Sequence, residues 1–223
     1  GGVAENYTEG SVYYGAQIRI PKPVKEGHSY TWDTEPVTVM PAEDLAYKAV
    51  WTPNIYQISL DPNGGNVVEG DLATRTITFG EAYGSLPVME KENYTFEGWY
   101  TDKTGGSKLT ETSAVELGHD HVIYAQYKPI EFTITYYGTE DAQNDNPETY
   151  NVETGLFSLE KASRRGYTFE GWYDNENLEG EEVRAVSANE TGNKTFYAKW
   201  RENHYKIVYH SNEGKGYSKE QQL

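Results

Sequence analysis

His119-Asp120-His121 is the most metal-like spacing in the chain. In an extended stretch, residues two apart face the same way, so both imidazoles could reach one ion. A protein metal site needs three or four converging ligands. The places 73 residues further on hold Gly192, Asn193 and Lys194, which do not repeat the imidazole pair. The expectation is a turn ahead of a strand. The acidic run DNENLEGEE at 174–182 supplies the kind of oxygens that Ca²⁺ gathers in sets of six to eight. It lacks the alternating ligand spacing closed by a bidentate Glu and reads as a solvated loop. DPNGG at 61–65 has ligand-loop composition but reads as a hairpin turn.

Nucleophilic triads set a base and an orienter beside Ser, Thr or Cys. There is no cysteine, and the five histidines at 28, 119, 121, 204 and 210 form no constellation. Carboxylates abound, so a glycosidase pair stays open. Modules of about 70 residues, however, bury only about 60% of their chain surface and leave little room for a cleft. Walker and Rossmann glycine patterns are absent. A Lys–Asn or Lys–Asp self-crosslink also stays open, with no feature that selects a pair. The sequence thus predicts no catalytic, cofactor-binding or metal-ligating residue, no cofactor and no enzyme.

The elements that would position such groups are small and ring-rich. Of 223 residues, 36% are hydrophobic and 14% aromatic, with twenty tyrosines against six phenylalanines; mean hydropathy is −0.79. Each ring can bury ~150–250 Å², or about 4–6 kcal/mol at roughly 25 cal/mol per Å², as an upper bound. A few rings can therefore centre a small core. The net charge of −16 repels nucleic acid and anionic membrane surfaces. No apolar run approaches ~18 residues, which argues against membrane insertion of this segment. The start GGVAENYTEG has neither Met nor leader and reads as part of something longer.

An internal repeat dominates. Tyr94 and Tyr167, Trp99 and Trp172, Tyr124 and Tyr197, and Tyr127 and Trp200 each differ by 73. After each closing ring another ring follows five residues on: Trp51 to Tyr56, Tyr127 to Phe132, Trp200 to Tyr205. YQISL, FTITYY and YKIVYH alternate at period two and read as strands. YTFEGWY, present at 94–100 and 167–173, is also strand-like. Strict alternation puts Tyr94, Phe96 and Tyr100 on one side and Thr95, Glu97 and Trp99 on the other. Gly98 and Gly171 inside it suggest a bulge that re-aims the next ring. Phe96 and Phe169 are expected in the core with Trp99 and Trp172 covering it. An exposed Trp99 would instead favour an aromatic platform for sugars. TETSAVEL and EEVRAVSAN are expected to form one or two helical turns each, and LFSLEKASRR at 156–165 a slightly longer one.

G-Y-T-F-E-G-W-Y, a Gly-rich turn, then V-x-Y-A-K-W resembles the Listeria–Bacteroides repeat, the B-repeat type of internalin-like bacterial surface proteins. The likeness is strong at 56–129 and 132–200 and weaker at 9–51, where Tyr30 and Trp32 take the places of Tyr94 and Phe96 without the G-W step. The resemblance implies small β-grasp-like (ubiquitin/SUMO-like) modules, hence a β-dominated α+β chain in tandem. It also implies export to the cell surface and a stalk or adhesive-spacer role, with no catalytic residues to carry over. The expected domains are a first repeat at 1–54 lacking its opening strand, complete repeats at 55–129 and 130–203, and the start of a fourth at 204–223. Linkers of about four residues predict an elongated array. The expected role is a non-catalytic extracellular stalk, with an unknown host or cell-surface protein or glycan as partner. The alternative is a glycan- or receptor-binding module using exposed aromatics. An open edge in the first repeat and the strand at 205–210 also suggest head-to-tail self-association.

Overall fold

The computed structural model describes residues 10–210 and, as backbone, 221–222. Every regular element among them is a strand, so the β-dominated expectation holds. The helical turns expected at 110–117, 156–165 and 181–189 do not form. These segments carry turns, isolated bridges such as Ala82↔Ala114 and Gln143↔Ser163, and short strands. Their apolar residues have no helical spacing; Val115, Ala162 and Val186 each plug the core singly, at 0%, 4% and 1% exposure, from non-helical backbone.

The chain divides into two compact units, the first made of residues up to Lys91 with Phe96–Tyr127 and the second of Glu92–Thr95 with residues from Lys128 onward. In the first unit, β1 (His28–Trp32) and β2 (Ala49–Pro53) form an antiparallel pair. Tyr30, Trp32, Trp51 and Tyr47 touch ring to ring there, with centroids 5.5–6.2 Å apart. No buried hydrophobic side chain comes from the described residues before Ile55.

The second repeat follows with β3 (Ile55–Asp61), β4 (Asn66–Glu69), β5 (Arg75–Thr78), β6 (Val88–Glu90), β7 (Tyr94–Tyr100), β8 (Lys108–Leu109) and β9 (His121–Pro129). Five of these make one sheet in the order β5-β3-β9-β7-β8, and β4 pairs with β6 apart from it. β3 and β9 run parallel, Ile58↔His121 through Asp61↔Tyr124. DPNGG is a tight turn, with Asn63 at φ 48° and Gly64 at φ 84°. It is not the hairpin expected, because β3 pairs with β5 and not with the strand that follows the turn. The core gathers Ile58, Leu60, Met89, Trp99, Val115, Ile123 and Ala125 among others.

The second unit holds β10 (Phe132–Tyr137), β11 (Thr149–Tyr150), β12 (Phe157–Ser158), β13 (Tyr167–Tyr173), β14 (Ala185–Val186) and β15 (Lys194–Glu202). The sheet order is β11-β10-β15-β13 with β10 parallel to β15, and β12 pairs with β14. Ile134, Tyr150, Ala162, Trp172, Val186, Phe196 and Ala198 form its core. β16 (Lys206–Ile207) pairs with β17 (Gln221–Gln222).

The stretches expected as linkers, TPNI at 52–55, KPIE at 128–131 and RENH at 201–204, are mostly strand. Pro53 ends β2 and Ile55 opens β3; Pro129 ends β9 and Phe132 opens β10. Each join is tied back to the turn preceding its aromatic strand. Asn54 N–H donates to Gly27 C=O at 2.8 Å, Ile130 to Asn93 at 2.9 Å and Asn203 to Gly166 at 2.9 Å. The three acceptors all have positive φ, at 65°, 63° and 84°, which turns their carbonyls toward the join.

Candidate functional site

The bulge expected at the repeated phrase is present, and it reverses the roles of its rings. In β13 the register against β15 slips between Phe169 and Gly171, and Gly171 and Gly98 have φ 137° and 128°. One extra residue moves the tryptophan onto the phenylalanine's face. Phe169 and Trp172 therefore meet at 5.1 Å, and Phe96 and Trp99 at 6.4 Å. Trp99 and Trp172 are 2% and 1% exposed, whereas both phenylalanines pack around them half-buried. Each indole N–H donates to a backbone carbonyl at 2.8 Å, Trp99 to Pro87 and Trp172 to Glu160. Those acceptors obey the 73-residue step. Phe96 and Phe169 were expected as the centre with the tryptophans as cover; the packing is the opposite. Neither Trp99 nor Trp172 leaves an indole face for a ligand.

His119-Asp120-His121 sits where a bend enters β9. A carbonyl can only accept, so His121 carries its proton on Nδ1, donates to His119 C=O at 2.9 Å and accepts from Tyr83 Oη at 2.8 Å. Both ring nitrogens are thereby occupied. Burial, then Glu116, pushes the Tyr83 phenol up, keeping it a neutral donor. Asp120 Oδ1 accepts from Gln57 N–H at 2.8 Å, and Asn193 Oδ1 from Thr133 N–H at 3.0 Å. The motif caps the opening strand, and the same bond recurs one repeat on with an amide in place of the carboxylate. Among the described residues no three His, Asp or Glu converge as metal ligands.

In the acidic loop, Asn175 holds the turn itself, donating to Glu179 C=O at 2.8 Å and accepting from Glu179 N–H at 3.2 Å. Lys194 sits on Glu190 as an ion pair. Its hydrogen bond, together with one from Ser187 N–H, holds the Glu190 carboxyl below the usual carboxylate range, while Lys194 is raised chiefly by that same bond. A carboxylate kept ionised is a poor acyl donor, and an ammonium kept protonated has no lone pair to attack it, so nothing in this pair favours an amide.

What sequence reasoning missed lies on the outward face of the third-repeat sheet. The registers set Tyr173 opposite Tyr197 and Tyr197 opposite Tyr137, so three phenols cross β13, β15 and β10 in one row. Lys199 Nζ lies 5.0 Å from the Tyr173 ring centre. Along the edge of β10 runs an open groove of about 500 Å³ bounded by Thr133, Thr135, Thr139, Asn144, Glu148 and Thr149. Tyr136, also on it, is pushed up to about 12 by burial, then by Glu148. A second shallow groove, about 430 Å³, lies beside Arg75 in the second repeat; that guanidinium donates to Ser85 C=O at 2.7 Å. The tyrosine row depends on a parallel register between strands 60 residues apart, which no local pattern announces.

A family model described as the Listeria–Bacteroides repeat domain matches residues 56–126 and 132–199. A protein of Evansella cellulosilytica, named only as a membrane protein, is 29% identical over 212 residues, covering 87% of this chain and 31% of its own length. A Gly-rich membrane protein of the same organism is 30% identical over 186 residues, covering 79% and 20%. Internalin H of Listeria monocytogenes is 31% identical over 139 residues, covering 61% and 24%. The chain thus spans a third or less of each of these relatives. No described helix is long and apolar enough to cross a membrane.

Proposed function

The chain belongs to the Listeria–Bacteroides repeat family, and from that membership we propose that it is a non-catalytic stalk or spacer segment of an exported bacterial cell-surface protein. The observation that carries this reading is the join between repeats. The closing strand of one passes into the opening strand of the next across one to three residues, and a backbone hydrogen bond ties each join to the repeat before it. A join of one to three residues is too short to form a flexible linker of its own. Internalin H and the two membrane-named proteins as relatives support an extracellular, surface-attached setting; a contribution to adhesion is part of the proposal.

The repeats are proposed at 1–54, lacking its opening strand, at 55–129 and 130–203 as complete β-grasp-like modules, and at 204–223 as the start of a fourth. Support comes from the strand order of the second repeat, in which the first and last strands run parallel at the centre of a mixed sheet. The buried tryptophans leave the indole platform without support.

Head-to-tail pairing also stays a proposal. Tyr47 and Ala49 in the first repeat are half-buried, whereas their second-repeat counterparts Ile123 and Ala125 are at 0%. Tyr205, Val208 and Tyr209 are all more than half exposed. Light scattering should show mass rising with concentration, and a constant monomer mass would remove this idea. The spacer is tested by small-angle scattering on chains of two, three and four repeats. The maximum dimension should grow by a constant step; growth as the cube root of mass would refute it.

A further inference from the structure

Gly27 is the one buried residue among those described before Ile55, and what buries it comes from the next repeat. A Cβ there would lie 2.2 Å from Phe79 Cγ, and φ is 65°, so the phenylalanine ring rests on bare backbone. His28 meets the same ring in a T-shaped contact, with centroids 5.5 Å apart and planes at 71°. Its Nδ1 donates to Glu26 C=O at 2.7 Å. Asn54, in the join, holds both partners: its N–H donates to Gly27 C=O at 2.8 Å, and its C=O accepts from Phe79 N–H at 2.9 Å. Gly118 of the second repeat comes close to the same turn, since a Cβ there would fall 3.5 Å from Glu26 Cγ.

Phe79 is half-buried, yet it is not among the side chains packed on the core of its own repeat, where Leu72, Leu86, Phe96 and Tyr127 surround the buried residues. The first repeat contributes no buried apolar side chain among the described residues. Its few half-buried rings on β1 and β2 are little to set against the entropy of ordering the chain. We propose that the first repeat is ordered only by docking on the second, with Phe79 as the ring that fills its notch at Gly27. Order then runs one way: the second repeat stands on its own core, and the first leans on it. The next joint is built differently. Asn93 takes the place of Gly27 and Val152 that of Phe79, and Tyr94 Oη donates to Glu153 Oε1 at 3.0 Å. This dependence is separate from the spacer role, and either can fail without the other.

The test is amide hydrogen exchange on the whole chain, read by mass spectrometry over residues 28–53 and over the strands around Ile58 and Ile123. Protection over 28–53 is expected in the unmodified chain. Phe79→Ala should lower it about tenfold or more and leave exchange around Ile58 and Ile123 unchanged. Gly27→Ala should do the same, and the two losses combined should fall short of their product, because one contact is removed twice. Trp99→Ala should abolish protection over 28–53 together with that of the second repeat, whereas Trp51→Ala should abolish it over 28–53 alone. Five results would each overturn the proposal: no protection over 28–53 in the unmodified chain, its survival in Phe79→Ala, its survival in Trp99→Ala, losses that multiply in full, or equal loss around Ile58 in Phe79→Ala or Trp51→Ala.

Discussion

Replacing Trp99 by alanine should unfold the second repeat and spare the third. The indole is 2% exposed and sits among Ile58, Leu60, Met89, Val115 and Ile123. Its transfer from water is worth about 4–6 kcal/mol as an upper bound, and truncating a buried Trp typically costs about 3–5 kcal/mol. Loss of its N–H also strands the Pro87 carbonyl, adding about 1–3 kcal/mol where water cannot replace it. A module of about 70 residues has roughly 4–10 kcal/mol in total at ~0.05–0.15 kcal/mol per residue. The variant therefore falls to the edge of folding or past it. Amide hydrogen exchange read by mass spectrometry resolves the outcome by segment. Protection should vanish around Ile58, Leu60, Ile123 and Ala125 and persist around Ile134, Phe196 and Ala198. Equal loss in both segments would refute separate cores, and loss of less than about 1 kcal/mol would refute the central role of the indole.

Gly171→Ala should destabilise the third repeat by about 1–3 kcal/mol, read as a lower midpoint in urea, because φ is 137° and a Cβ would lie 2.7 Å from Glu182 Cγ. Asp120→Ala and Asn193→Ala each remove a cap on an opening-strand N–H and should cost about 0.5–1.5 kcal/mol in thermal melts. The Glu190–Lys194 pair stabilises the fold between two limits. Glu190 is lowered, so its contribution fades as pH falls below its ordinary 4.5. Lys194 is raised, so its share is lost only as pH climbs past 10.5. Being partly exposed, the pair is worth about 0.5 kcal/mol, and Lys194→Met should flatten the acid limb of a stability–pH curve by that amount.

Much of the architecture was legible because it is written twice. The 73-residue step locates the indoles, and the glycine inside YTFEGWY announces the bulge. Which ring lies innermost was misread because alternation was carried across Gly98, where the bulge shifts the count by one. Helical turns were expected at TETSAVEL and EEVRAVSAN from composition alone, although their apolar residues lack the spacing that would give a helix a buried stripe. The tyrosine row gave no signal, since it arises from a parallel partner strand far away in the chain.

The parallel pairs at the centre of the two complete repeats decide how each responds to a pull on its ends. Force entering β3 and leaving through β9, or entering β10 and leaving through β15, acts along the strands in opposite senses. The ladder bonds between them are then loaded together in shear and do not peel open one at a time. Each complete repeat would yield abruptly, and resistance along the chain would be set by its weakest ladder.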